Sequence, residues 1–181
     1  MSRLRIFEDK APLAPRVDTD DGKQIGRHLD GLGVRFERWQ AEAQFAADAD
    51  QAAVIAAYRR DIDRIMTENG YKSVDVVRMV PTHPQKDEFR NKFLSEHTHS
   101  EDEVRFFVEG CGVFYLHVKE GVYAVLCERG DLISVPANTT HWFDMGPHPQ
   151  FAAIRMFTSP DGWTARFTGS DIAQRFPKFG E

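Results

Sequence analysis

Three histidines and a glutamate stand at spacings that suit metal chemistry. In EHTHSEDEVRFFVEG, residues 96–110, His97 and His99 lie two positions apart. An extended backbone sends such residues to one face, so both imidazoles can address a single cation. Glu103 keeps the same parity and adds a carboxylate to that face. A further ligand has to come from elsewhere, and PANTTHWFD supplies His141 after GDLISVP, a run that reads as a strand. Three neutral imidazoles and one carboxylate make a mixed nitrogen and oxygen set suited to Fe, Ni, Mn or Co in an expanded shell. An octahedron built on those donors keeps two positions open.

The same parity extends the candidate site beyond the donors. In a regular strand from Glu103, Arg105 and Phe107 face the interior while Val104 and Phe106 face an outer layer. Arg105 is then a buried cation that needs an anion, either an oxyanion-rich substrate or a core carboxylate. The substrate is the preferred partner, because costly charges cluster at functional sites. Arg155 interrupts the apolar run FAAIRMF and poses the same question, with the two answers evenly matched. Arg105 and Arg155 are therefore the candidate catalytic residues. Phe93, Phe107, Phe143, Met156 and Trp163 are candidates for an apolar substrate wall, with ordinary core packing as the alternative for each. His28, His83, His117 and His148 lack such a pattern and read as surface or hydrogen-bonded residues. Glu96, Glu101 and Asp102 flank the ligands and read as solvated loop charges, with a role behind the ligands as the alternative.

Most of the elements that would position these groups are strands. VRFFVEG, GVFYLHV, GVYAVLC, DLISVP and FAAIRMF are short aromatic or β-branched runs divided by Gly, Pro and Asn. Consecutive antiparallel strands of that kind make a barrel or sandwich. LHVKEGVYAV reads as a hairpin turning around Lys119-Glu120-Gly121. The first third is mostly helical: a short helix from Gly22 to Gly33, a strand starting near Val34, then one helix over residues 51–68. That helix is capped by Asp48 or Asp50, closed by Asn69-Gly70, and carries Val54, Ile55, Tyr58, Ile62 and Ile65 on one face. SVDVVRMV is a strand, residues 85–94 a short helix, and DIAQRF before Pro177 another.

Composition narrows the function classes. The chain of 181 residues has 23 Lys and Arg against 28 Asp and Glu, a net charge of −5, with 14 Phe among its apolar residues. It can bury a real core, and without clustered positive charge it offers no footprint for nucleic acid or anionic lipid. The N-terminal MSRLRIFEDK lacks the apolar stretch of an export signal, and no run is long enough to span a bilayer. The expectation is a cytoplasmic protein, a monomer, with Cys111 and Cys127 as free thiols.

Taken together, HTHSEDEVRFFVEG resembles the first cupin motif and GDLISVPANTTH the second. VRFERW, DVVRM, RNKFLSEHTHSEDEVRFFVEG, VPANTTHWFD and IRMF, spread from about Gly33 to Trp163, resemble the acireductone dioxygenase family. Asn91, Asn138 and Met145 depart from the broad cupin pattern without removing a ligand, and Asn138 tolerates the left-handed turn in which a Gly would sit. The resemblance implies a mainly β, cupin-type antiparallel β-barrel (a double-stranded β-helix or jelly roll) with flanking helices from the N-terminal half. The expected organisation is one domain over 1–181, residues 1–95 packing on a barrel formed mainly by 96–160. It further implies that His97, His99, Glu103 and His141 hold one Fe(II) or Ni(II), Co or Mn also fitting. The implied reaction is oxidative cleavage by O2 of the acireductone 1,2-dihydroxy-3-keto-5-methylthiopentene, a step of methionine salvage. Iron gives formate and 4-methylthio-2-oxobutanoate; nickel gives methylthiopropionate, formate and carbon monoxide. Another metal-dependent cupin dioxygenase or isomerase, or a non-catalytic small-molecule-binding cupin, are the alternative readings.

Overall fold

The longest element explains how the architecture is assembled. In the computed structural model, which describes residues 1–46 and 48–181, Glu103–Val118 form one 16-residue strand where the runs VRFFVEG and GVFYLHV suggest two. This strand serves two sheets, and its change of sheet falls at Gly110, whose φ is +61°. A Cβ there would meet the Gln150 carbonyl oxygen at 1.7 Å, so only glycine allows the close approach. Beside it the pairing with Phe151–Phe157 shifts register, Ala152 facing Glu109 and Ala153 facing Phe107, so that Val108 is bulged. The two apolar runs therefore join through a bend instead of ending at the glycine.

In chain order the elements are β1 (Arg3–Glu8), β2 (Val17–Thr19), α1 (Gly22–Asp30), β3 (Arg35–Arg38), α2 (Gln51–Ala57), α3 (Arg59–Asn69), β4 (Ser73–Met79) and α4 (Lys86–Phe93). They continue with β5 (His97–Thr98), β6 (Glu103–Val118), β7 (Gly121–Glu128), β8 (Asp131–Val135), β9 (Thr140–Asp144), β10 (Phe151–Phe157) and β11 (Arg166–Phe167), then a 3-10 turn, Ile172–Arg175. One sheet runs β2-β1-β7-β6-β9-β5-β11 through the second half of β6. The other runs β4-β10-β6-β8-β3 through the first half. All pairings are antiparallel, and the N-terminal segment supplies strands to both sheets as well as helices that cover them.

Alternation along the strands sorts the side chains into three apolar clusters. Phe107, Phe114, Leu116, Phe143, Phe151 and Ala153 fill the space between the sheets. Val104, Phe106, Leu132, Ile154 and Met156 lie on the outer face of the second sheet, against Val54, Tyr58, Ile62 and Ile65. Tyr115, Val122 and Trp142 lie on the outer face of the first sheet, beneath Ile172, Ala173 and Phe176 of the C-terminal segment. Met156 therefore belongs to the helix-covered layer, so the expectation that it lines a substrate wall fails on parity.

Local chemistry accounts for the helix ends. Asp21 caps α1 by accepting from the backbone N–H groups of Lys23 and Gln24, and Asp50 caps α2 through Ala53 N at 2.8 Å. Gly70, left-handed at φ +73°, ends α3. The single helix expected over 51–68 is broken at Tyr58 (φ −111°, ψ 15°). There the tyrosine ring packs edge-on against Phe106 at 5.6 Å and its hydroxyl donates to Ala43 O at 3.2 Å. Tertiary packing thus overrides an uninterrupted amphipathic stripe. Val118 pairs with Gly121 across a tight turn, with Lys119 at φ +58°.

Candidate metal centre

The donor set is assembled by register. β5 places His97 directly opposite His141 of β9, with ring centroids 4.5 Å apart. Directly opposed antiparallel residues have adjacent Cβ atoms, so this pairing brings the two imidazoles together although 44 positions separate them. His99 follows in the loop after β5, and its carbonyl accepts from Asn138 N at 2.8 Å. Asn138 adopts φ +62°, the left-handed conformation expected of that turn residue. Glu103 opens β6 and reaches the same point from the other sheet. One nitrogen from each of His97, His99 and His141 lies within 4.8 Å of the others.

Backbone carbonyls orient all three rings. His97 Nδ1 lies 2.7 Å from Ser95 O, His99 Nδ1 3.2 Å from Thr164 O, and His141 Nδ1 2.8 Å from Thr139 O. A carbonyl only accepts, so each Nδ1 carries the proton and each Nε2 presents a lone pair inward. His141 Nε2 is then 2.8 Å from Glu103 Oε2, and His99 Nε2 is 3.5 Å from it. Neither His141 Nε2 nor Glu103 Oε2 has a hydrogen-bond partner, and both atoms are buried. Two facing acceptors at that distance require a cation between or beside them, which is what a metal ligated by these atoms would supply. The residues present thus fit a resident metal ion.

Electrostatics keep the donors in ligating form. Burial, reinforced by His141, pushes His97 down to about 4. His99 is also lowered, by burial first. Burial opposes ionisation of Glu103, but the adjacent Arg105 guanidinium outweighs it and holds the carboxyl well below its ordinary range.

Arg105 is buried beside the donors. Its Nε donates to Glu103 Oε1 at 2.7 Å and its Nη2 forms an ion pair with the same oxygen at 2.6 Å, while its Nη1 is buried without a partner. The guanidinium also lies over the rings of Phe114 and Phe143, at 4.9 and 4.8 Å. Arg155 faces Arg105 across the β10–β6 pairing and forms a two-pronged bond to Asp75 of β4, at 2.8 and 2.6 Å. Both of the opposed arginines are thereby neutralised by a carboxylate.

A narrow cavity of about 70 Å³ opens onto these groups, lined by Lys92, Phe93, His97, His99, Arg105, Arg155, Trp163, Ala165 and Phe167. Of the aromatic residues singled out in the sequence, Phe93 and Trp163 line it, the latter 50% exposed at the rim. Phe107 and Phe143 lie in the core between the sheets instead, their rings 6.3 Å apart, and only Phe143 lies under the Arg105 guanidinium. A larger cavity of about 760 Å³, between the end of β1 and the β6–β7 turn, contains none of the donors.

For the carboxylates flanking the ligands, the alternative reading of a role behind them is the one the hydrogen bonds support. Glu96 is not a solvated charge: it is buried, accepting from Thr168 Oγ1 at 2.6 Å and lying 2.6 Å from His117 Nδ1. Glu101 Oε2 accepts from the N–H groups of Thr158 and Ser159, each at 3.0 Å, and Asp102 accepts from Ala137 N at 2.9 Å. These three carboxylates hold the loops around the ligands. Phe167 and Lys92 enter the cavity wall by tertiary placement; a two-residue strand and an exposed helical lysine give no local signal.

Fold and site together define a protein of the cupin fold with a three-histidine metal site, beside a buried carboxylate, between its sheets. Residues 3–165 match the model of the ARD/ARD' family. Acireductone dioxygenase of Parvibaculum lavamentivorans is 59% identical over 179 residues, covering 99% of this chain and 97% of the relative. That of Stenotrophomonas maltophilia is 58% identical over the same length and the same shares. Among solved structures, acireductone dioxygenase from Bacillus anthracis, with a cadmium ion in its active centre, superposes with a TM-score of 0.79. It is 31% identical, and the match covers 92% of this chain and 98% of that one. The chain belongs to the ARD/ARD' family, the acireductone dioxygenases.

Proposed function

We propose that this chain cleaves the acireductone 1,2-dihydroxy-3-keto-5-methylthiopentene with O2, in methionine salvage. The observation that carries the reading is the orphaned pair His141 Nε2 and Glu103 Oε2, set among convergent imidazoles in a chain of this family. His97, His99, Glu103 and His141 would hold the metal, Fe(II) or Ni(II), with Co or Mn also suited to the donor set. When bound, that ion supplies a Lewis-acidic template on which adjacent enediolate oxygens can chelate.

The remaining work falls to the protein's own groups. Ser95, Thr164 and Thr139 carbonyls keep the imidazole lone pairs aimed inward, so no ligand has to reorient during turnover. Arg105 offers its free Nη1 to a substrate oxyanion while its other donors hold Glu103 ionised. Arg155, anchored and neutralised by Asp75, stands at the same wall as a further hydrogen-bond donor. Phe93, Trp163 and Phe167 offer apolar surface to the methylthio tail, and Phe114 and Phe143 support Arg105 from below. A substrate that binds already ionised needs no protein base. No described helix is long and apolar enough to cross a membrane; the setting proposed is a monomer in the cytoplasm.

Elemental analysis of the purified protein, paired with oxygen uptake on the acireductone after iron or nickel is restored, tests this reading. About one equivalent of transition metal and metal-dependent products are expected. Protein that takes up no metal and consumes no oxygen would overturn it.

A further inference from the structure

Three cations line the cavity beside the histidines: Lys92, Arg105 and Arg155. Two of them are already compensated. Arg105 is paired with Glu103 at 2.6 Å and Arg155 with Asp75 at 2.6 Å, so each still has hydrogen bonds to offer but little net charge. Lys92 differs. The other cations of α4 are committed elsewhere, Lys86 to Asp87 at 2.9 Å, and Arg90 to Asp144 at 2.9 Å and Glu181 at 3.0 Å. Glu88 stands one turn before Lys92, where a helix would allow a pair, but its carboxylate accepts from Gln85 Nε2 at 3.4 Å instead. Among the described residues no carboxylate neutralises the Lys92 ammonium group, and the rim opposite it, Trp163 and Phe167, is aromatic and half-exposed.

From this we infer that Lys92 is the substrate-binding cation of the cavity mouth, attracting the ionised enediol and pairing with its negative charge. The inference rests on the dioxygenase reading above, which supplies an anionic substrate. Electrostatics at a rim act mostly on encounter and on weak binding, and they are screened by salt. A merely local role for Lys92, at the carboxyl end of α4, would instead show as lost stability with unchanged affinity.

Metal-loaded wild type, Lys92→Met and Lys92→Arg distinguish these roles. The measurements are the anaerobic dissociation constant of the acireductone, kcat and KM over a series of ionic strengths, and the melting temperature. Lys92→Met should weaken anaerobic binding and raise KM about fivefold, flatten the salt dependence of kcat/KM, and leave the melting temperature unchanged. Lys92→Arg, which keeps the charge, should regain most of the affinity. A Lys92→Met protein with wild-type affinity and salt dependence, on an active wild type, overturns the role of Lys92 alone. A wild type that neither binds nor turns over the acireductone overturns the dioxygenase reading and this inference with it.

Discussion

At the scale of single residues the site is governed by desolvation. Glu103 and Arg105 are 2% and 3% exposed, so neither charge is sustained without the other. Glu103 also bridges the two sheets' contributions, reaching His141 at 2.8 Å. Replacing it by alanine removes the oxygen donor proposed for the set, and metal retention should be abolished. Elemental analysis of purified Glu103→Ala checks this, and full metal content in that variant would show the donor set to be misassigned. The histidines bring a pH dependence whose sign follows from burial. His97 is pushed down to about 4 in the folded chain, against 6.5 for a free imidazole. The unfolded state therefore binds more protons between those values, and stability falls as pH drops through that window. Urea unfolding of the metal-free protein should show full stability above pH 6.5 and progressive loss toward pH 4; a flat profile would mean that His97 is solvated.

At the scale of elements, β6 carries most of the organisation. Its first half brings Glu103 to His141 and Arg105 to the cavity, and its second half supplies Leu116, the residue opposite His141. The bend at Gly110 is thus what lets one strand serve both walls of the site. Gly110→Ala would put a methyl group 1.7 Å from the Gln150 carbonyl oxygen at a φ of +61°. A loss of at least about 3 kcal/mol of folding stability is expected, together with weakened metal retention. Circular dichroism melts alongside metal analysis would measure both, and a variant within about 0.5 kcal/mol of wild type would show that the two halves of β6 move independently. The hairpin turn and the capped helices, by contrast, were legible in the sequence because their cues lie within a few residues of where they act. The break at Tyr58 was not legible, since its cause, the Phe106 ring, is 48 positions away.

At the scale of the molecule, the metal would cross-link parts that the chain leaves far apart: the β5 loop, the start of β6 and the start of β9. A ligand that binds the folded state alone stabilises it by mass action, about 2.7 kcal/mol at a hundredfold excess over its dissociation constant. For a chain of this length that corresponds to a rise in melting temperature of roughly 5–10 °C. Chelation should therefore lower the melting temperature by about that much, and restoring iron or nickel should recover it, as read by scanning calorimetry. Identical melts with and without metal would mean the donors do not hold it. The C-terminal segment belongs to the same scale. Asp144, fully buried, accepts from Arg90 of α4 and from Phe179 N at 2.8 Å. That junction ties the tail to the helix that carries Lys92 and Phe93.

What the amino-acid order determines by itself is local geometry. A strand period of two places Glu103 with Arg105, and a spacing of two keeps His97 near His99 although β5 ends at Thr98, because backbone sterics act between neighbours. The same locality makes Asn138 left-handed and turns the chain after Val118. Which groups then meet was decided by the tertiary structure. Register alone set His141 against His97, Arg155 against Arg105, and Asp75 against Arg155. The choice for Arg105 between substrate and a core carboxylate was likewise settled only on folding: Glu103 takes the Nε donor and the ion pair, and Nη1 is left without a partner. Strand pairing depends on contacts tens of residues apart, and an unpaired charge becomes costly only once burial has removed its water.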